Sequence, residues 1–78
     1  MYTVLVIDDS PSMRRILKDM VNSIDEFEVI ADAMDAYDAR EKIKQYEPDL
    51  VKSMYILSFN KNILSYSLNI INQIMWIL

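Results

Sequence analysis

Glycine, cysteine and histidine are all absent from this chain, and proline occurs only twice. Without cysteine there is no disulfide and no thiolate-bound zinc, and without histidine the commonest metal ligand and general base is gone. Any chemistry must run on carboxylates, hydroxyls, lysines or the backbone. Glycine takes positive φ at no steric cost, and average usage near 7% would give roughly five in a chain of this length. Their absence implies that some turns of an ordinary domain are missing. Basic charge is scarce too: eight Lys and Arg stand against twelve Asp and Glu, for a net charge of -4. That leaves no basic surface for nucleic acid. No basic stretch leads into an apolar one at the N-terminus, so the expectation is a cytoplasmic chain without a secretory signal. Seventy-eight residues make one domain at most.

A second scarcity is local. Every acid lies at or before Asp49, so residues 1–51 carry twelve acids against six bases. The stretch that follows has two lysines, Lys52 and Lys61, no acid, and a run of Ile, Leu, Asn, Ser and Tyr. The composition changes at Val51.

Before that seam the chain has a regular pattern. "TVLVI" (3–7) is an apolar, β-branched run that predicts a strand buried on both faces. Ser10 and Pro11 form a helix start, a capping hydroxyl followed by proline at the first helical position. Met13, Ile16, Leu17, Met20 and Val21 then mark one apolar stripe, with Met13 and Met20 read as core fillers. Arg14, Arg15 and Lys18 are read as a solvated face, a kinase or partner contact being the other reading for the arginines. "FEVIADA" (27–33) predicts a second strand with Phe27, Val29, Ala31 and Ala33 on one side. Ala36, Ala39, Ile43 and Tyr46 predict a second helix ended by Pro48, with Asp35 and Asp38 near its start and Lys42 and Lys44 near its end. Asp38 and Lys42 are spaced to pair. "DLV" opens a third strand. The order β-α-β-α-β predicts a parallel sheet with right-handed crossovers.

The residues with most chemistry are Asp8 and Asp9, directly after the first strand. Ligands of open parallel sheets bind outside the carboxyl ends of the strands, and two adjacent carboxylates repel unless a hard cation such as Mg²⁺ joins them. In the plainer reading Asp9 or Ser10 only caps the helix and Asp8 is solvated. Both readings stand open on these residues alone.

"VLVIDDSPSMRRIL" resembles the opening of a response-regulator receiver domain, and "DAYDAREKIKQYEPDLV" is similar to the receiver of the chemotaxis protein-glutamate methylesterase. The resemblance covers residues 2–51. It implies a flavodoxin-like receiver fold, here truncated, in two-component phosphorelay signalling. It also implies a chemotaxis histidine kinase as partner, and a regulatory role, not the methylesterase's catalysis. Asp8 and Asp9 match the family's acidic pair that helps hold Mg²⁺. The phosphate-accepting aspartate, counted from Pro48, should be residue 54, but the sequence has Met54 there. A thioether is neither a nucleophile for phosphorus nor a ligand for a hard cation, so a chain that cannot be phosphorylated is expected. Asp49 begins the third strand roughly 16 Å before that slot at about 3.3 Å per residue, too far to substitute.

Residues 52–78 are expected to be a divergent tail outside the family pattern, for which a shifted reading frame is one origin. "YILSF" (55–59) suits a strand. Residues 62–78 lack charge over a length near the lower limit of about 17 residues for a membrane span, but their Asn, Gln and Ser residues argue against membrane anchoring. Lys61 is read as solvated, and Tyr55, Tyr66 and Trp76 as cover for apolar surface. A sheet cut after its third strand would expose an edge and bury too little to fold cooperatively, unless the tail repacks as a surrogate strand or helix.

Overall fold

The computed structural model of the protein describes residues 1–53 and 57–59. Six elements follow one another: β1 (Tyr2–Ile7), α1 (Pro11–Asn22), β2 (Phe27–Ala33), α2 (Ala36–Tyr46), β3 (Leu50–Ser53) and β4 (Leu57–Phe59). β1 is the central strand, as its continuous apolar run requires. The sheet order is β2-β1-β3-β4, with β1 parallel to both β2 and β3. Val4, Leu5 and Val6 are fully buried. Val4 and Val6 join Leu17, Val21, Phe27 and Leu50 on the α1 side, while Leu5 joins Ala33 and Ala39 on the α2 side.

Both helices begin where capping chemistry places them. Ser10 accepts from the Met13 N–H with Pro11 in the first turn, and Asp35 accepts from the Asp38 N–H. Their apolar stripes are only partly covered. On α1, Leu17 and Val21 are buried and Met13 packs against them, but Ile16 is 50% and Met20 38% exposed. The reading of Met20 as a core filler is therefore corrected: among the described residues α1 packs on β1 and β2, and the sheet covers one edge of its stripe, Met13, Leu17 and Val21, leaving Ile16 and Met20 outside. On α2 only Ala39 is buried. Ile43 and Tyr46 stay exposed, and Ile43 lines an open groove of about 400 Å³ between α2 and Ile7.

β2 departs from simple alternation. Val4 pairs with Val29 and Leu5 with Ala31, so Ile30 is an extra residue, a β-bulge. One inserted residue reverses the facing of all that follow. Phe27 and Val29 therefore pack on the α1 side but Ala31 and Ala33 on the α2 side, which corrects the expectation that all four share a face. The same reversal turns Asp32 toward α1, within reach of Arg14 and Lys18.

β4 makes the sheet mixed. It runs antiparallel to β3, Leu50 opposite Phe59 and Lys52 opposite Leu57. A parallel return needs a crossover of about a dozen residues, and only residues 54–56 lie between these strands, so a hairpin is the one connection short enough. The outer edge of β3 is thus paired, the surrogate-strand case foreseen for "YILSF". Met54, Tyr55, Lys61, Tyr66, Trp76 and the segment 62–78 lie outside the described residues.

Glu47 shows where glycine is missed. It caps α2 in the left-handed region at φ 47° and ψ 57°, and it is the only positive-φ residue among those described. A non-glycine residue there costs about 1–2 kcal/mol, against the 0.5–1 kcal/mol or so that glycine loses in unfolded-state entropy. Glu47→Gly is expected to stabilise the fold by about 0.5–1 kcal/mol in urea unfolding; a lower midpoint would contradict the cap geometry.

Candidate functional site

β1 ends at Ile7, and the chain turns into α1 through Asp8, Asp9 and Ser10. Asp8 is partly buried and Asp9 exposed. The Asp8 N–H donates to the Ala33 carbonyl at 3.0 Å, and Asp8 Oδ1 accepts from the Ser10 N–H at 2.9 Å. Asp8 is thus built into the turn, and Ser10, not Asp9, is the helix cap. Asp8's second oxygen and the Asp9 carboxylate remain for a ligand at the carboxyl end of the central strand.

Arg14 is not the solvated residue the sequence suggested. Its side chain is 19% exposed; Nε lies 3.3 Å from Asp32 Oδ2, and Nη1 donates to the Asp8 carbonyl at 2.7 Å. Lys18 approaches the same Asp32 oxygen at 3.2 Å. Lys42 donates to the Asp32 carbonyl and to Asp38 Oδ2, the latter at 3.2 Å. The expected Asp38–Lys42 pair is present. Burial alone would raise the pKa of Asp32, but the hydrogen bond from Lys18 and the charges of Lys18, Arg14 and Lys42 outweigh it and hold the carboxyl below its ordinary value. The hydrogen bond from the Met34 N–H, and then Lys42, lowers Asp38 likewise.

Beside the acidic turn, β3 runs up to Ser53, which pairs with Ile7. Asp49 sits at the other end of that strand. Its Oδ2 accepts from the Thr3 N–H at 2.8 Å and the Thr3 hydroxyl at 3.2 Å, while its own N–H donates to Thr3 Oγ1 and to the Thr3 carbonyl, each at 3.0 Å. This clasp keeps Asp49 far from Asp8 and Asp9, as the strand arithmetic required.

Sequence reasoning missed two features. Lys52 is fully buried on β3, its ammonium donating to the Ser53 carbonyl, and burial lowers its pKa. The signal was available: Lys52 lies two residues after the buried Leu50, so strand periodicity points it the same way. The convergence of Arg14 and Lys18 on Asp32 was hidden, because the bulge at Ile30 defeats the parity count. Among the described residues no group of three or more His, Cys, Asp or Glu stands together for a metal ion. Mg²⁺ keeps several waters and is commonly held by one or two carboxylates. Asp8 and Asp9, both hard oxygen donors, fit such a hydrated ion.

The arrangement has known counterparts. No protein-family model matches the chain. A protein-glutamate methylesterase/protein-glutamine glutaminase of Sulfurimonas denitrificans is 45% identical over 69 residues, 81% of this chain and 20% of that protein. The one of Hydrogenovibrio crunogenus is 50% identical over 48 residues, 62% of this chain and 13% of that protein. A crystal structure of the response regulator domain of Thermotoga maritima CheB superposes with a TM-score of 0.64 at 39% identity, over 65% of this chain and 38% of that one.

Residues 2–51 are the N-terminal part of a response-regulator receiver domain.

The receiver is of the chemotaxis methylesterase type, with the flavodoxin-like α/β fold described above. The chain spans a fifth or less of the length of these methylesterases. The Sulfurimonas match is longer than residues 1–51 alone can supply, so it runs past Val51. Among the described residues no helix is long and apolar enough to cross a membrane.

Proposed function

We propose that this chain is a cytoplasmic receiver module of chemotaxis signalling that does not accept a phosphoryl group. In this reading it docks on a chemotaxis histidine kinase and holds Mg²⁺ weakly through Asp8 and Asp9. Residues 52–78 are read as a divergent tail whose first two residues, Lys52 and Ser53, still complete β3, and no esterase chemistry is assigned to the chain. Mg²⁺, when bound, would offset negative charge at the carboxyl end of β1. Asp8 and Asp9 supply oxygen donors, and Arg14 and Ser10 hold the turn that carries them.

The observation that carries the proposal is the residue after Ser53. Counted from Pro48, the family's phosphate-accepting position is residue 54, the residue that follows β3 in the sequence, and the sequence has methionine there. Phosphoryl transfer to a receiver needs a carboxylate nucleophile next to the metal. The supporting geometry is the Asp49–Thr3 clasp, which keeps the nearest β3 carboxylate at the wrong end of the strand.

Labelled acetyl phosphate with Mg²⁺ tests this directly. The wild-type chain is expected to show no acid-stable, base-labile phosphoryl group, while Met54→Asp should gain a detectable one. Labelling of the wild type would refute the reading. The tail's origin is decided separately, by translating the gene in all frames beyond the Val51 codon. A membrane role for residues 62–78 would require the protein to sediment with membranes after lysis.

A further inference from the structure

We propose that Arg14, oriented by Asp32, is the positioning residue of the Asp8–Asp9 carboxylate pair. The inference rests on reading that pair as the cation site. The carbonyl that Arg14 holds at 2.7 Å belongs to the peptide joining Asp8 to Asp9. A peptide unit is planar, so fixing its oxygen fixes the plane between the two carboxylates and with it their relative direction.

Three contacts restrain this turn. β2 holds the Asp8 N–H through Ala33, Ser10 holds Asp8 Oδ1, and α1 holds the Asp8 carbonyl through Arg14. Arg14 can serve because its guanidinium is a rigid fork with several donors. One nitrogen contacts Asp8 while Nε faces Asp32. Asp32 is available only because the extra residue Ile30 turns it toward α1, and Lys18 on the next helical turn faces the same oxygen. The chain of support runs from the bulge to Asp32, to Arg14, to the Asp8–Asp9 peptide.

The proposal makes a prediction of unusual sign. Arg14 is a cation beside a cation site, so by charge alone its removal should tighten metal binding. As a positioning residue, its removal should weaken it. The test titrates Mn²⁺ into the full chain and follows amide hydrogen exchange at Asp8 and Ser10, whose N–H groups donate to the Ala33 carbonyl and to Asp8 Oδ1. Arg14→Ala is expected to weaken Mn²⁺ roughly tenfold or more, the usual cost of losing a group that orients a ligand, and to speed exchange at both amides. Arg14→Lys keeps the charge but not the fork and should not rescue either readout. Asp32→Asn should show the same pattern, and Arg15→Ala, at an exposed neighbour, should change neither. A cooperative thermal transition in each variant guards against simple unfolding. Unchanged exchange at Asp8 and Ser10, together with equal or tighter Mn²⁺ binding in Arg14→Ala, would overturn the proposal. If the wild type binds no Mn²⁺, the metal reading fails, and exchange at Asp8 and Ser10 still decides whether Arg14 positions the turn.

Discussion

Leu5→Ala is expected to undock α2 from the sheet. Among the described residues the ones buried on that side of β1 are Leu5, Ala33 and Ala39, with Ile7, Ala31 and Val51 partly buried around them. Leu5 is the one large side chain among the three that are buried, and the alanines cannot collapse into the space it would leave. Truncating a buried leucine costs about 2–5 kcal/mol, with the upper end reached where the site cannot relax. A unit of this size has about 3–8 kcal/mol in all, at roughly 0.05–0.15 kcal/mol per residue. Loss of cooperative urea unfolding, or fast amide exchange across Ala39–Ile43, is the expected result. Val6→Ala should be milder, because Val6 shares the α1-side core with Leu17, Val21, Phe27 and Leu50. If the two variants lose equal stability, the thin-core account is wrong.

Lys52→Met should work in the opposite direction and stabilise the fold. Lys52 is fully buried, and among the described residues no carboxylate pairs with it; its ammonium meets the Ser53 carbonyl. Burying an unpaired charge costs on the order of several kcal/mol per ion, a cost that an apolar side chain of similar length does not carry. The effect should depend on pH. Burial lowers the folded-state pKa of Lys52 from its ordinary 10.5. Between that lowered value and 10.5 the unfolded chain binds a proton that the folded chain has released, so wild-type stability rises with pH across this window. Below it both states are charged and the full cost of burying the ammonium is felt. Urea melts of the two chains should therefore differ most below that lowered value and converge toward pH 10.5. A constant difference across that range would mean that Lys52 acts through packing alone.

Much of the fold was legible because local signals agreed with one another. The Ser10–Pro11 cap, the stop at Pro48 and the β-branched run of β1 each pointed to one structure, and α2 and β2 keep the bounds the sequence suggested. The misreadings were failures of counting across space. Ile30 breaks the two-residue period of β2 without any glycine or proline to announce it, so the facing of Ala31, Asp32 and Ala33 could not be read from the strand alone. Arg14 was misjudged for the same reason, since its partner lies on the far side of that bulge. The acidic turn was visible as chemistry, but its supports come from β2 and α1 and are a property of the fold. Ile16, Met20, Ile43 and Tyr46 fit helical stripes, yet stay exposed among the described residues, because periodicity records which face is apolar and not whether anything covers it.

The clasp between Thr3 and Asp49 has a consequence for how the chain is made. It joins residues 46 positions apart, and it locks the first strand synthesised to the third. At about 5–20 residues per second, β1 would wait roughly 2–9 seconds on the ribosome before Asp49 emerged. During that interval its β3-facing row of backbone donors and acceptors has no partner, and an apolar strand left in that state can be captured by another chain. Slowing translation between Asn22 and Asp49 should therefore lower the soluble yield more than slowing it anywhere after Phe59.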